Sequence, residues 1–125
     1  MSQQQQSVRR SITRNMDDYL HRGQLIRHVY NGHISYVRYY TKCIMKGSNS
    51  VDKHFLILCF QNDDKGGVIN GFNEKTHTHY KSLSGFATAH KNAVNPYKKH
   101  GSNGWKECEI QMNTGIWMSI ARVYP

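Results

Sequence analysis

The chain has 125 residues, the usual length of one domain, and carries 17 lysines and arginines against eight aspartates and glutamates, a formal net charge of +9. Its longest apolar run, residues 55–60, is far shorter than the roughly 20 residues of a membrane span, and residues 1–10 lack the apolar core of a signal peptide. We therefore expect no membrane contact and no secretion. The positive charge favours a polyanionic partner over a surface charged only for solubility.

The cysteines indicate the compartment in which the protein works. Cys43, Cys59 and Cys108 are odd in number, widely spaced and without a Cys-x-x-Cys pair. This pattern argues against a disulfide framework and against a thiolate zinc site. Unpaired thiols are typical of a reducing compartment, so a nuclear or cytoplasmic location is expected.

The N-terminal segment predicts a disordered tail followed by a helix. Residues 1–12 are rich in Gln, Ser and Arg and offer nothing to bury, so a single domain is expected over residues 13–125. The helix is expected to begin at Asn15, a good N-cap, with acidic residues in its first turn. Apolar residues then recur at helical spacing, and Asn31-Gly32 is expected to end the helix.

The middle of the chain predicts strands. Residues 34–45 are rich in β-branched and aromatic side chains, and residues 54–60 are almost continuously apolar, so we expect a strand in each. Residues 47–50 are expected to form a loop. Asn62–Gly67 have the composition of a hairpin turn, with a return strand at 68–72 and a short strand at 76–80.

The last third predicts a helix, a basic loop and further strands. The helix is expected to follow Ser82 or Ser84 and to end at Asn95-Pro96, because the residue before proline avoids the helical region. The basic loop covers residues 97–103, a strand 105–112, and a last strand or short helix 116–123. The order of elements indicates an α+β fold: a small antiparallel sheet with an N-terminal helix and a second helix near residues 84–94.

An acid-free stretch carries much of the basic surplus. From Lys75 to Lys106 there are six lysines and four histidines, but no aspartate or glutamate. Ser, Asn and Tyr side chains, which hydrogen-bond phosphates or base edges, are interleaved with these lysines. Because the cluster coincides with a loop rather than a uniform helix face, ligand contact is favoured over an ordinary solvated surface.

A serine-led helix, a Val-Asn-Pro turn and an Asn-Gly-Trp motif follow one another within residues 82–110. They include Ser84, Val94-Asn95-Pro96 and Asn103-Gly104-Trp105. In this order and spacing the segment resembles the core of the RAMA domain (restriction enzyme and adenine methylase associated). The resemblance implies a non-enzymatic DNA-binding module, associated elsewhere with adenine methyltransferases and with the reading of N6-methyladenine in duplex DNA.

The candidate contacts to DNA lie in the same stretch. Lysines are expected to contact phosphates, and the polar side chains of Asn95, Ser102 and Asn103 to lie near a base, although Asn103 equally fits a turn cap. Gly104 is expected to supply backbone freedom, and Trp105 to pack the helix onto the sheet rather than stack on a base. The candidate nucleic-acid-binding residues are Ser84, Lys91, Asn95, Lys98, Lys99, His100, Ser102, Asn103, Gly104, Trp105 and Lys106.

Two other binding functions stay open. A protein-interaction adaptor would use the tyrosine-rich strand 36–40 as its interface, with the positive charge only steering association. An RNA partner is a further alternative, because phosphates attract lysine equally in RNA and DNA.

A small nuclease or deaminase-like enzyme is less favoured. Asp17-Asp18 and Asp63-Asp64 lie at an expected helix start and in an expected turn, which is not the setting of a two-metal nuclease site. Nothing in the spacing pairs Cys108, as a nucleophile, with a histidine that could act as its general base. His77 and His79 would share one face of a strand, but no third metal ligand is indicated. We therefore expect no catalytic residue, no metal and no cofactor.

Overall fold

The computed structural model describes residues 15–59 and 74–125 and contains a six-stranded antiparallel sheet with short helices. The strands are β1 (Leu25–Tyr30), β2 (His33–Lys46), β3 (Asn49–Leu58), β4 (His79–Tyr80), β5 (Cys108–Gln111) and β6 (Trp117–Ser119), in the sheet order β4-β3-β2-β1-β5-β6. The helices are a 3-10 turn (Met16–Asp18), α1 (Leu83–Val94), α2 (Gly104–Glu107) and α3 (Ile120–Val123). The predicted α+β class is confirmed. The expected tail at 1–12, the turn Asn62–Gly67 and the return strand 68–72 lie outside the described residues.

One face of the sheet carries the hydrophobic core. Strand pairing aligns Ile26 with Val37 on one side and with Ile110 on the other, and all three are at most 3% exposed. Phe86 and Ala87 of α1 pack against this row. Strands β1 and β2 therefore bury alternate residues beneath α1, whereas β3 buries three consecutive residues, Phe55, Leu56 and Ile57.

The predicted N-terminal helix is wrong. Only Met16–Asp18 is helical, as one 3-10 turn, and Asn15 makes no side-chain cap hydrogen bond. Residues 25–30 form β1 instead. Asn31 and Gly32 have φ angles of 50° and 80°, so this pair makes the turn of the β1–β2 hairpin rather than a helix end. Asn-Gly suits both roles because each needs left-handed backbone.

The second helix begins and ends where it was expected. Ser82 is the N-cap of α1, and its Oγ accepts a hydrogen bond from the Gly85 N–H at 3.0 Å. The helix ends at Val94, immediately before Asn95-Pro96. Serine capping and the restriction imposed by proline therefore place both ends correctly.

The chain after the basic loop begins with a helical turn, not with a strand. Residues 104–107 form α2 and β5 starts only at Cys108, which corrects the expected strand at 105–112. The segment predicted as a last strand or a short helix contains both, because α3 follows β6 directly. Within residues 15–59 and 74–125, the longest helix has 12 residues, and none is long and apolar enough to cross a membrane.

Strands β2 and β3 continue as a pair past the neighbouring strands. β1 pairs with β2 only as far as Arg38, and β4 pairs with β3 only at Leu56 and Ile57. Among the described strands, residues 41–46 and 49–54 pair only with each other, and we call them the β2–β3 ribbon. Gly47, with a φ of 64°, opens the two-residue turn at its tip, where glycine avoids a steric penalty.

Candidate nucleic-acid interface

The basic loop, residues 97–103, is folded back onto α1. Thr88 Oγ1 donates a hydrogen bond to Ser102 Oγ at 2.9 Å, and Lys91 Nζ donates to the Gly101 carbonyl at 2.9 Å. His100 Nε2 donates to the Asn95 carbonyl at 2.9 Å. The predicted role of Ser102 near a base thus competes with a structural role, because its hydroxyl oxygen already accepts from Thr88, whereas Asn95 holds the loop only through its backbone carbonyl.

The Asn-Gly-Trp motif closes this loop against the start of α1. Asn103 is the N-cap of α2, its Oδ1 accepting from the Lys106 N–H at 3.4 Å. The Gly104 N–H donates to Ser84 Oγ at 2.9 Å. A Cβ at Gly104 would overlap the backbone of Leu83 and Ser84. Glycine is therefore required by close approach between two chain segments, and not, as expected, by unusual backbone angles.

Trp105 takes the packing role that was favoured for it. The side chain is partly buried against the hydrophobic core. Its ring meets that of Tyr19 edge-on, with centroids 5.5 Å apart, and Ser119 Oγ donates to the Trp105 carbonyl at 3.3 Å. The residue joins the N-terminal segment, α2 and the end of β6, which fixes the orientation of the loop before it.

A network of charged and polar side chains lies beneath the loop. Glu107 accepts from Lys91 Nζ, from the Asn103 N–H at 2.7 Å and from His28 Nε2 at 3.3 Å. His28 Nδ1 lies 2.7 Å from His90 Nδ1. Since His28 donates through Nε2, neutral His28 accepts at Nδ1, and His90 is the donor between the two rings.

Burial decides the protonation of this network. Burial lowers the pKa of His90 to about 4, with His28 and His33 adding repulsion. Burial likewise lowers the pKa of His28, against the opposing effect of Glu107. Burial alone would raise the pKa of Glu107, but the hydrogen bonds from Lys91 and the Asn103 N–H outweigh it and lower that pKa. The network at neutral pH is two neutral imidazoles and one Lys–Glu ion pair.

The ion pair changes the set of lysines that can bind an anion. Lys91 was expected to contact phosphate, but its side chain is only 14% exposed and its ammonium group is bonded to Glu107 and to the Gly101 carbonyl. Lys98, Lys99 and Lys106 are exposed, and none makes an ion pair with any residue of 15–59 or 74–125. These three lysines are what the described structure leaves available from the predicted phosphate-binding set.

The structure gives no support to the catalytic and metal readings of other residues. Burial raises the pKa of the Cys108 thiol to about 12, and the side chain is fully buried, so it is not an accessible nucleophile. His79 Nδ1 donates to the His77 carbonyl at 2.9 Å. Within the described ranges, no group of three potential ligands is placed to hold a metal ion.

The tyrosine-rich strand splits between the two faces of the sheet. Tyr39 is 1% exposed in the core, and Tyr36 and Tyr40 lie on the opposite face because side chains alternate along β2. The Tyr36 ring meets Trp117 edge-on at 6.1 Å, and the Arg22 guanidinium lies 4.5 Å from the centre of the Tyr40 ring. The two tyrosines on that face are thus occupied by contacts within the chain.

Two pairs of residues that meet in the fold were not predicted from the sequence. His28 and Glu107 lie 79 residues apart, and no local pattern indicates that they meet. The pairing of Lys42 with Lys53 across the β2–β3 ribbon likewise depends on strand register. The available signal for the ribbon was the two-residue turn at Gly47-Ser48, from which the register could have been counted.

Comparisons were made with protein-family models, with curated proteins and with solved structures, and none of them matches this chain.

Proposed function

We propose that this chain is a DNA-binding module similar to the RAMA domain, and that the loop between α1 and α2 contacts the phosphate backbone of duplex DNA. The observation that carries the proposal is the exposure of Lys98 and Lys99 on a loop whose other residues are held in place by hydrogen bonds. Lysine ammonium groups held in this way attract phosphates without regard to base sequence.

The nearest acidic residue in the sequence does not neutralise these lysines. Glu107 already accepts from Lys91, from His28 and from the Asn103 N–H. Glu107 is the first acidic residue after the acid-free stretch. Its described ion pairs are with Lys91 and His28, and not with Lys98, Lys99 or Lys106. Lys106, on α2, adds a third exposed ammonium group beside the loop.

The proposed setting is a reducing compartment, either nucleus or cytoplasm. Cys43, Cys59 and Cys108 are free thiols, which supports this setting. The resemblance to the RAMA domain adds the proposal that N6-methyladenine strengthens binding.

Binding of a fluorescent DNA duplex, measured by anisotropy over a range of salt concentrations, tests the proposal. We expect Lys98→Gln with Lys99→Gln to weaken binding on all sequences and to reduce the slope of log affinity against log salt by about 2. Arg122→Gln removes one exposed charge on α3 and serves as the control. Wild-type affinity in the double variant would contradict the assigned site.

Two further ligands in the same titration separate the alternatives. Equal affinity for methylated and unmethylated duplexes would contradict the recognition of N6-methyladenine but not the binding of DNA. Tighter binding of single-stranded RNA than of duplex DNA would make the protein an RNA binder. If no nucleic acid is bound and an acidic protein is captured despite nuclease treatment, the result would favour a protein-interaction adaptor over a DNA-binding module.

A further inference from the structure

The β2–β3 ribbon carries a row of lysines on one of its faces. Lys42 of β2 is aligned directly with Lys53 of β3, and Lys46 follows Lys42 by four residues in β2. Because strand side chains alternate, all three share one face. The residues on that face of the ribbon are Lys42, Ile44, Lys46, Asn49, Val51 and Lys53, and none is acidic. Asp52 belongs to the opposite face, aligned with Cys43.

This arrangement is unfavourable in the protein by itself. Like charges placed directly opposite each other on paired strands repel and destabilise the pair. Lys42, Lys46 and Lys53 are all exposed, and none forms an ion pair with a described residue. An anion bound along this face would remove the repulsion, so the ribbon gains stability from a negatively charged partner.

Further cations extend the row at the base of the ribbon. The Arg22 guanidinium lies on the ring of Tyr40, which precedes Lys42 by two residues on the same face of β2. Lys53 lines a cleft together with Lys81 at the start of the helical region. Lys81 lies directly before the Ser82 N-cap of α1, at the end of the helix opposite to the basic loop, so the ribbon and the loop form two separate basic regions.

We propose that the β2–β3 ribbon is a second contact arm for duplex DNA, with Lys42, Lys46 and Lys53 on phosphates beside the major groove. This inference rests on the proposed DNA-binding function. A protein partner is disfavoured because lysine is depleted at the core of protein interfaces. A two-stranded ribbon fits the B-form major groove, about 12 Å wide, but not the deep, narrow major groove of A-form RNA.

The decisive variant is Lys42→Gln with Lys53→Gln, compared with Lys42→Arg with Lys53→Arg. On a DNA duplex, we expect the glutamine variant to bind more weakly and to lower the salt slope by about 2, while the arginine variant binds like wild type. The unfolding midpoint of the glutamine variant is expected to equal or exceed that of wild type, since repulsion is relieved.

The possible failures are distinguishable. If the wild type does not bind duplex DNA, the proposed function falls and the ribbon inference falls with it. If Lys98→Gln with Lys99→Gln weakens binding but the ribbon variant binds DNA like wild type, only the ribbon inference is overturned. Equal affinity of the wild type for an RNA duplex of the same sequence would overturn the assignment to the B-form major groove.

Discussion

The Nδ1 atoms of His28 and His90 lie 2.7 Å apart in the interior, although the two residues come from β1 and from α1. At this distance one ring must donate and the other accept, so the pair cannot carry a proton on both facing nitrogens. The contact joins the sheet to the helix that precedes the basic loop, and it makes the helix packing sensitive to acid.

Acidification is therefore expected to destabilise the fold before carboxylates titrate. The pKa of His90 is about 4 in the folded state against 6.5 when unperturbed, so below pH 6.5 the unfolded chain binds more protons and folding stability falls as the pH drops. The loss from His90 between pH 7.5 and 5 is about 2 kcal/mol. Urea unfolding at several pH values measures it.

A matched pair of variants identifies the source of this pH dependence. His90→Gln removes one of the two buried titrating rings and should make the stability profile between pH 7.5 and 5 less steep, leaving the contribution of His28. His21→Gln replaces an exposed histidine and should leave the profile unchanged. A profile that stays equally steep in the His90 variant would show that another group is responsible.

Loss of the Glu107 carboxylate is expected to be costly. Glu107→Gln leaves the ammonium group of the largely buried Lys91 side chain without its counter-charge and weakens the bond to His28, so the free energy of unfolding should fall by about 1–3 kcal/mol. Glu109→Gln breaks the Arg27 pair, in which both side chains are more than 20% exposed, and should cost less than about 1 kcal/mol. Chemical denaturation compares the two, and equal losses would argue against a special role for Glu107.

Alanine should destabilise the protein at Gly104 but not at Gly101, the two glycines that flank Ser102-Asn103. Gly104→Ala places a Cβ into the backbone of Leu83 and Ser84 and is expected to destabilise by about 1–3 kcal/mol or more. Gly101→Ala meets no atom within 4 Å and should be close to neutral. Thermal unfolding of both variants checks this, and a neutral Gly104 variant would mean that α1 and α2 separate easily.

Thiol labelling should follow exposure. Cys43, exposed on the ribbon, is expected to react first with iodoacetamide, whereas Cys108, buried and with a pKa raised to about 12, should react only on unfolding. Peptide mass spectrometry with and without urea gives the order. Cys43→Ser should abolish the rapid phase, and rapid labelling of Cys108 in native buffer would show that β5 opens.

Local signals predicted the elements whose ends are set by single residues. The serine cap and the Asn95-Pro96 stop placed α1, and the β-branched and aromatic run placed β2. The prediction of an N-terminal helix was wrong because Asn31-Gly32 fits a helix end and a hairpin turn equally well. Which one forms depends on β1 pairing with β2 and β5, contacts that the segment itself does not reveal.

The candidate surface was predictable in composition but not in arrangement. The absence of acids from Lys75 to Lys106 is visible in the sequence, and Lys98 and Lys99 are exposed as that pattern suggests. The pairing of Lys91 with Glu107 arises only when α2 packs beside α1. Lys42 lies in a predicted strand and Lys53 directly before the next one, and their position opposite each other follows only from the strand register.

The bonds that tie the basic loop to α1 also bear on the thermodynamics of any association it makes. A segment whose backbone is already immobilised loses little conformational entropy when it docks, so more of the attraction between its ammonium groups and a ligand is retained as affinity. Cutting one such tether, for example with Thr88→Val, should leave every lysine in place yet weaken the complex through a less favourable binding entropy, visible by calorimetry.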